Sequence, residues 1–295
     1  MSLVINHNMM AMNASRNLAD SYSNLAVSTR RLSSGLRVGT AADDAAGLAV
    51  RELMRADIAS LNQGVRNAND AISMIQTADG ALGVIDEKLI RMKELATQAS
   101  TGTYTSDQRL IIDSEYQAMA SEITRIAKAT DFNGIYLLNG NLSSSTHNGA
   151  GLTSTGKMKV HFGAGNLSAE DYYYIQIDNA TASALGVGMG ATSANGKSIS
   201  TQQAAQLALE QLNKAIVSKD KIRANLGALQ NRLQNTVQNL QIQAENLQAA
   251  ESQISDVDVA EEMTSFVRSQ ILTQSAVAML SQANSLPRMA MQLLG

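Results

Sequence analysis

The sequence predicts a mainly α-helical protein built of long antiparallel helices in coiled-coil packing, with a small β-hairpin region. Three observations predict this fold. The 295 residues contain one proline, whereas the usual share is about 5%. Aromatic residues make up 3% of the chain and apolar residues 44%, so aliphatic and methionine side chains must form most of the core. These residues recur at alternating steps of three and four, the spacing of helices packed along a seam.

The longest run of this spacing extends from Met54 to Ala99 and is interrupted at Asp79. It predicts one long helix. A second helix is expected to begin after Thr105, because Thr105 and Gln108 have the spacing of a capping box.

A third helix is expected to begin near Ser200, where Ser200 and Gln203 repeat the capping-box spacing. Its seam has an apolar residue at every seventh position, which is the repeat of a coiled coil. These residues are Leu226, Leu233, Leu240, Leu247 and Ile254.

The two ends of the chain carry the same spacing, which predicts two terminal helices that pair with each other and with neighbouring subunits. Neither has a globular core to pack on, and a repeated contact that does not close produces a helical filament. The predicted polymer core seam consists of Leu18, Tyr22, Leu25, Leu32, Leu36, Leu272, Ala276, Met279, Ala283, Leu286 and Leu293.

Between the second and third helices the helical spacing is lost. Residues 142–157 and 186–198 are rich in Ser, Thr and Gly, which favours loops. Residues 158–162 and 172–177 are β-prone, and the intervening 163-GAGN is part of a connection longer than two residues. This pattern predicts a β-hairpin with a long loop.

No catalytic, cofactor or metal site is predicted. The three histidines, His7, His147 and His161, lack zinc-site spacing, and cysteine is absent. A net charge of −3 argues against nucleic-acid binding, which requires a concentrated basic face. No apolar run of about 20 residues exists, so membrane insertion is not expected.

Several long segments of the chain have a recognisable sequence. Two of them are 28-STRRLSSGLRVGTAADDAAGLAVRELM-54 and 60-SLNQGVRNANDAISMIQTADGAL-82, which are similar to the N-terminal signature of bacterial flagellin. The segment 131-DFNGIYLL-138 resembles the sequence motif that follows flagellin's second long helix. The segment 270-QILTQSAVAMLSQANSLPRMAMQLLG-295 resembles the flagellin C-terminus. The resemblance covers roughly 1–140 and 200–295 and extends to the hairpin region after residue 158.

The resemblance implies a domain organisation and a role. Residues 1–42 and 255–295 would form an inner terminal coiled-coil domain. Residues 43–254 would form a helical shaft domain, with its loop and β-hairpin region at about 140–199 and no separate outer domain. The chain would be a structural subunit, not an enzyme, that polymerises into the extracellular flagellar filament for swimming. Flagellins are exported without a cleaved signal peptide. A hook–filament junction protein of the same axial family is the alternative.

The resemblance also implies partners: copies of the chain itself, an export chaperone and export apparatus, and filament cap and hook-junction proteins. Arg91, Leu95 and Glu115 match positions at which flagellins contact the flagellin-sensing Toll-like receptor of hosts. The loops would lie on the filament exterior, where hydroxyl side chains are candidates for O-linked sugars. These are Ser143, Ser144, Ser145, Thr146, Thr153, Ser154, Thr155, Thr192 and Ser193.

Overall fold

The computed structural model describes residues 8–144, 156–168, 170–188 and 197–294, with backbone alone for 286–288 and 290–294. Its described part confirms the mainly α-helical fold with a small β-hairpin region. The helices are α1 (Met9–Ser34), α2 (Ala45–Ser100), α3 (Ser106–Ala129), α4 (Gln202–Ser255) and α5 (Val259–Leu294). The strands are β1 (Asp131–Phe132), β2 (Ile135–Tyr136), β3 (Met158–His161) and β4 (Tyr172–Ile175).

The chain forms two compact units. The first contains Met1–Ile58 and Glu245–Gly295, and the second contains Ala59–Ala244. The compact units therefore divide within α2 and α4, whereas the family resemblance places its domain boundaries after residues 42 and 254. That domain division stays a prediction about the family's architecture.

In the second unit, one face of α2 is buried along its length. The apolar sequence pattern is interrupted at Asp79, but the buried face of the helix is continuous there. Ala78 is buried and continues this face, and Asp79 lies half-buried at its edge. The buried residues follow steps of three and four, as the sequence predicts for a seam. They include Leu61, Ala68, Ala71, Ile75, Ala78, Leu82, Ile85, Leu89, Met92, Ala96 and Ala99.

Helix α3 begins as predicted. The Thr105 hydroxyl accepts a hydrogen bond from the Gln108 backbone N–H at 3.4 Å, and Gln108 Oε1 accepts from the Thr105 N–H at 3.0 Å. This capping box satisfies two of the backbone donors that the first turn of a helix leaves free. The Arg109 guanidinium donates to the Ala99 carbonyl at 3.0 Å and holds the turn between α2 and α3 closed.

The predicted N-cap of α4 is wrong by one residue. The helix starts at Gln202, and the Thr201 hydroxyl, not that of Ser200, accepts from the Ala204 backbone N–H at 3.2 Å. The Ser200 hydroxyl instead accepts from the Ser198 hydroxyl at 3.0 Å. Thr201 is therefore the residue that caps the helix.

Strands β3 and β4 confirm the predicted hairpin, pairing antiparallel from Met158 opposite Ile175 to His161 opposite Tyr172. Asp171 shapes the connection between them. Its carboxylate accepts from the backbone N–H of Leu167 at 2.7 Å and of Gly165 at 3.2 Å. Local bonds of this kind let a long connection keep one conformation.

This hairpin lies directly against α2 and α4. Asn67 of α2 donates from Nδ2 to the His161 carbonyl at 2.9 Å. One turn earlier, a Cβ atom on Gly64 would overlap the Phe162 carbonyl group. The Arg232 guanidinium of α4 stacks over the Tyr173 ring, 3.5 Å from its centroid, a cation–π contact.

The short hairpin of β1 and β2 was not predicted from the sequence. Its two central residues, Asn133 and Gly134, have φ angles of 51° and 80°. Positive φ at both positions is the conformation of a type I′ turn, and an Asn-Gly pair is its preferred sequence. The Asn-Gly pair in 131-DFNGIYLL was therefore a signal that could have located this turn.

In the first unit, the segment that follows α1 lies beside the segment that joins α4 to α5. Helix α1 ends at Gly35, whose φ of 73° and N–H bond to the Arg31 carbonyl form a left-handed cap. The Arg37 N–H donates to the Ser255 carbonyl at 2.7 Å, and the Val257 N–H donates to the Gly35 carbonyl at 3.0 Å. We call these two bonds the connector bridge.

Candidate assembly surface

The two terminal helices pair antiparallel, as the sequence predicts. The Asn8 amide donates to the Ala283 carbonyl at 2.8 Å near one end of the pair. Near the other end, Arg31 lies 3.5 Å from Glu262. The backbones of α1 and α5 remain close between these points, so the pair forms a two-helix structure within the first unit.

Small side chains separate the two helices. The residues that are buried or half-buried on each helix follow steps of three and four, and most are Ala, Ser, Thr or Leu. Small residues at a helix seam allow the two backbones to approach closely. On α1 this face contains Ala11, Ala14, Leu18, Ser21, Leu25, Ser28 and Leu32, and on α5 it contains Phe266, Ser269, Thr273, Ala276, Leu280 and Ala283.

Three residues of the predicted seam are largely exposed in the single chain. Tyr22 is 54% exposed, Leu272 is 52% exposed and Met279 is 61% exposed. The positions beside them, Ser21, Thr273 and Leu280, take the inward places. These three residues were predicted to pack on neighbouring subunits as well as on the partner helix, and their place in the polymer seam stays a prediction.

The other predicted seam residues have varied positions. Leu18, Leu25, Leu32, Ala276 and Ala283 belong to the pairing face. Leu36 was predicted to continue the α1 seam, but it follows the end of that helix and pairs with Asp256 as an isolated antiparallel bridge. The left-handed Gly35 ends the helix before it. The side chains of Leu286 and Leu293 lie outside the described part of the structure.

Both terminal helices also expose large apolar side chains to solvent. We call this set the outer apolar surface. Soluble monomers rarely expose so many neighbouring apolar groups unless the surface binds another molecule. Its members are Met9, Met10, Met12, Tyr22, Val259, Met263, Val267, Ile271, Leu272, Val277, Met279 and Met289.

A groove of about 610 Å³ runs between α1 and α5 within this surface. Met10 and Ala14 lie on one wall, and Leu272, Ala276 and Met279 lie on the other. Its size and apolar side chains suit the insertion of protruding aliphatic or methionine groups from another protein surface.

The sole proline, Pro287, lies within the bounds of α5. Proline has no backbone N–H, so it cannot donate to the carbonyl four residues earlier, which belongs to Ala283. That carbonyl is the acceptor of the Asn8 amide bond. The side chain at the start of α1 thus replaces the hydrogen bond that proline removes from α5.

The three residues matched to receptor contacts lie on α2 and α3. Arg91 donates to Glu115 at 2.9 Å and to Glu94 at 3.0 Å, and both Arg91 and Glu115 are about half-exposed. Hydrogen bonds to Glu94 and then to Glu115 raise the pKa of the Arg91 guanidinium above its usual value. Leu95 is 2% exposed, so its side chain belongs to the core and is not presented to a partner.

The candidate sugar-bearing residues are mostly outside the described part of the structure: Ser145, Thr146, Thr153, Ser154, Thr155, Thr192 and Ser193. The Ser143 hydroxyl is half-buried and donates to the Gly140 carbonyl at 2.6 Å, which restrains its use as an attachment point. Ser144 is exposed.

Within the described ranges, no three His, Cys, Asp or Glu residues are grouped to hold a metal ion, and no helix is both long and apolar enough to cross a membrane. The helical fold and the outer apolar surface together define a structural protein with a surface suited to binding other protein chains.

Comparison with known proteins identifies the family. Residues 5–143 match the bacterial flagellin N-terminal helical region, and residues 209–294 match the bacterial flagellin C-terminal helical region. The chain is 42% identical over 293 residues to the flagellar filament 33 kDa core protein of Treponema phagedenis, covering 99% of this chain and 100% of that protein. It is 40% identical over 292 residues to a flagellin of Halalkalibacterium halodurans, with the same coverage.

A flagellin of Bacillus subtilis is 39% identical over 307 residues, with 98% of this chain and 99% of that protein covered. The crystal structure of Bacillus cereus flagellin is 28% identical with a TM-score of 0.45, covering 63% of this chain and 94% of that one. From the two family matches and the full-length sequence identities, the chain belongs to the bacterial flagellin family.

Proposed function

We propose that this chain is the structural subunit of a bacterial flagellar filament and that its outer apolar surface forms the contacts between subunits. The single observation that supports these contacts is the exposure of large apolar side chains on both paired terminal helices. The flagellin family is structural, so no enzymatic activity is assigned to the chain.

The energetics of such contacts are favourable. Full burial of one exposed Leu or Met side chain contributes roughly 1.5–3 kcal/mol, and each subunit offers several such residues on α1 and α5. The groove is one part of the outer apolar surface, and other exposed side chains of that surface, such as Met263 and Val267, do not line it. Insertion of such side chains into the groove of another subunit is a heterologous contact. A heterologous contact that does not close into a ring generates a helical polymer.

Membership of the flagellin family supports the finer parts of the proposal. We propose that the subunit is exported without a cleaved signal peptide and assembles outside the cell. An export chaperone would cover the apolar surface of α5 before assembly. The filament cap and hook-junction proteins would contact the ends of the polymer through the same terminal helices.

A hook–filament junction protein is the alternative function, and the comparisons do not favour it. The proteins that match this chain over its whole length at about 40% identity are flagellins and flagellar filament core proteins.

Removal of residues 279–295 tests the proposed function. The truncated chain loses Met279 and the end of α5 beyond it, and with them part of the outer surface and groove. We expect no filaments under conditions in which the full chain polymerises, as seen by electron microscopy. Circular dichroism should still report the helices of the second unit, because its residues, Ala59–Ala244, are all retained.

Filaments of normal appearance from the truncated chain would contradict the proposal. A full chain that remains monomeric, or that forms a single ring instead of a long polymer, would favour the junction alternative. Counting copies per organelle separates the same two functions, because a filament requires thousands of subunits and a junction about one ring.

We also propose that Arg91 and Glu115 form part of a surface recognised by the flagellin-sensing Toll-like receptor. Their mutual ion pair supports this by presenting a fixed pattern of charge at the surface. Replacing either residue with alanine should weaken receptor signalling by the soluble monomer roughly tenfold, the effect of losing about 1.4 kcal/mol of contact energy.

Arg125→Ala is the matched control, because Arg125 forms a similar exposed ion pair with Glu122 on α3. It should leave the signalling dose unchanged. An equal loss of receptor signalling for both arginine variants would indicate that surface charge in general causes the effect. No response to the unmodified chain at high dose would exclude receptor activation.

The proposal of O-linked sugars on the loops is supported by their composition. Their Ser and Thr residues cluster between 143 and 155 and at 192–193.

A further inference from the structure

A lysine occupies a core position of α4. Lys219 belongs to the series of positions, seven residues apart, that contains Leu212, Leu226, Leu233 and Leu240, all buried. Its side chain is 2% exposed, and its ammonium group lies 2.6 Å from an Asp86 oxygen on α2 and 2.7 Å from Asp220. Burial of a charge is costly unless it is paired, so an apolar residue would satisfy this position more simply.

A second ion pair joins the same two helices close by. Arg223 of α4 donates to the two Asp79 oxygens of α2 at 2.7 and 3.2 Å. The numbering rises from Asp79 to Asp86 along α2 and falls from Arg223 to Lys219 along α4, which is consistent with antiparallel packing of these helices.

The apolar seam alone does not define how α4 aligns with α2. If α4 slides along its own axis by seven residues relative to α2, Leu226 takes the place of Leu233, and Leu233 takes the place of Leu240. Leucine replaces leucine at each of these positions, so the buried apolar area changes little. Repetitive heptad seams generally rely on a polar residue at one core position to select a single register.

The two ion pairs are spaced differently on the two helices. The aspartates are seven residues apart on α2, whereas Lys219 and Arg223 are four residues apart on α4. A slip of seven residues in one direction brings Arg223 opposite Asp86 but places Lys219 opposite Lys93. A slip in the other direction brings Lys219 opposite Asp79 but places Arg223 opposite Ile72. Neither slipped register satisfies both cations.

We propose that Lys219–Asp86 and Arg223–Asp79 together select the register of α2 against α4. The pairs act by making the slipped arrangements unfavourable, and the native arrangement need not gain stability from them. This role is separate from filament assembly, because all four residues lie within the second unit.

The distance between spin labels on the two helices tests this proposal. The chain has no cysteine, so Glu87→Cys and Gln234→Cys, both at exposed positions, place labels only where they are wanted. In the refolded monomer, double electron–electron resonance should give one distance. Adding Lys219→Met should produce a second population shorter by about 10 Å, because it removes the Lys93 repulsion and a seven-residue slip moves a helix by that length.

Lys221→Met is the matched control, because Lys221 lies two residues away and is exposed. It should retain the single distance. An unshifted single distance in the Lys219→Met chain, with or without lower stability, would overturn the register role. If Lys219→Met prevents folding, Arg223→Met provides the test, since Arg223 is more exposed. It should give a population longer by about 10 Å, and an unshifted single distance there would likewise overturn the proposal.

Discussion

Glutamate at both Leu272 and Met279 is expected to abolish filament formation while leaving the chain folded. Both side chains line the groove between α1 and α5 and are more than half exposed. Each change removes an apolar contact worth roughly 1.5–3 kcal/mol and places a charge in an interface that should become dry. The concentration needed for polymerisation should therefore rise on the order of a hundredfold or more, as measured by sedimentation and electron microscopy.

The control carries the same added charge on the same helix. Gln274→Glu with Gln282→Glu replaces two exposed polar residues of α5 and should polymerise nearly as the unmodified chain does. Equal inhibition by both double variants would mean that net charge, and not the apolar groove, determines assembly. Unchanged filaments with glutamate at 272 and 279 would show that the outer apolar surface does not form the contact between subunits.

Gly64→Ala should produce a large loss of stability from a single methyl group. The added Cβ would overlap the Phe162 carbonyl, which belongs to the backbone and cannot rotate away. Either the hairpin of β3 and β4 moves off α2 or the helix distorts, so the Asn67 bond to the His161 carbonyl should also weaken. We expect the free energy of unfolding to fall by roughly 3 kcal/mol, measured by chemical denaturation.

Gly80→Ala is its counterpart in the same helix. Nothing lies within 4 Å of the position that a Cβ on Gly80 would occupy, so alanine should stabilise the helix by roughly 0.5–1 kcal/mol. Opposite signs for the two variants would confirm that hairpin contact, and not helix propensity, makes Gly64 necessary. A neutral Gly64→Ala would show that the hairpin does not lie this close to α2.

The sequence was sufficient to predict features that depend on neighbouring residues. The α3 capping box at Thr105 and Gln108 was predicted because both partners lie within one turn. The β3–β4 hairpin was predicted because short β-prone runs flank glycines. The β1–β2 turn had an equally local signal in Asn133 and Gly134, and it was missed because the adjoining strands are only two residues long.

Features that depend on distant residues could not be predicted in the same way. On α5, Leu272 and Thr273 were both compatible with a seam, and only the position of α1 decides between them. Lys219 interrupts an apolar series, and its place in the core depends on Asp86 from another helix. Gly64 is one of several glycines in α2, and only the hairpin carbonyl distinguishes it from Gly80.

The connector bridge has a consequence for the order in which the terminal helices open. It holds the end of α1 beside the start of α5 through the Gly35–Val257 and Arg37–Ser255 bonds. The other end of the helix pair is not held by this bridge, and the Asn8 bond to the Ala283 carbonyl lies near that end. Thermal fraying therefore begins at the chain termini and progresses toward the bridge. In the proposed filament, a neighbouring subunit would cover this far end, so ordering of the helices and addition of the next subunit would become one coupled step.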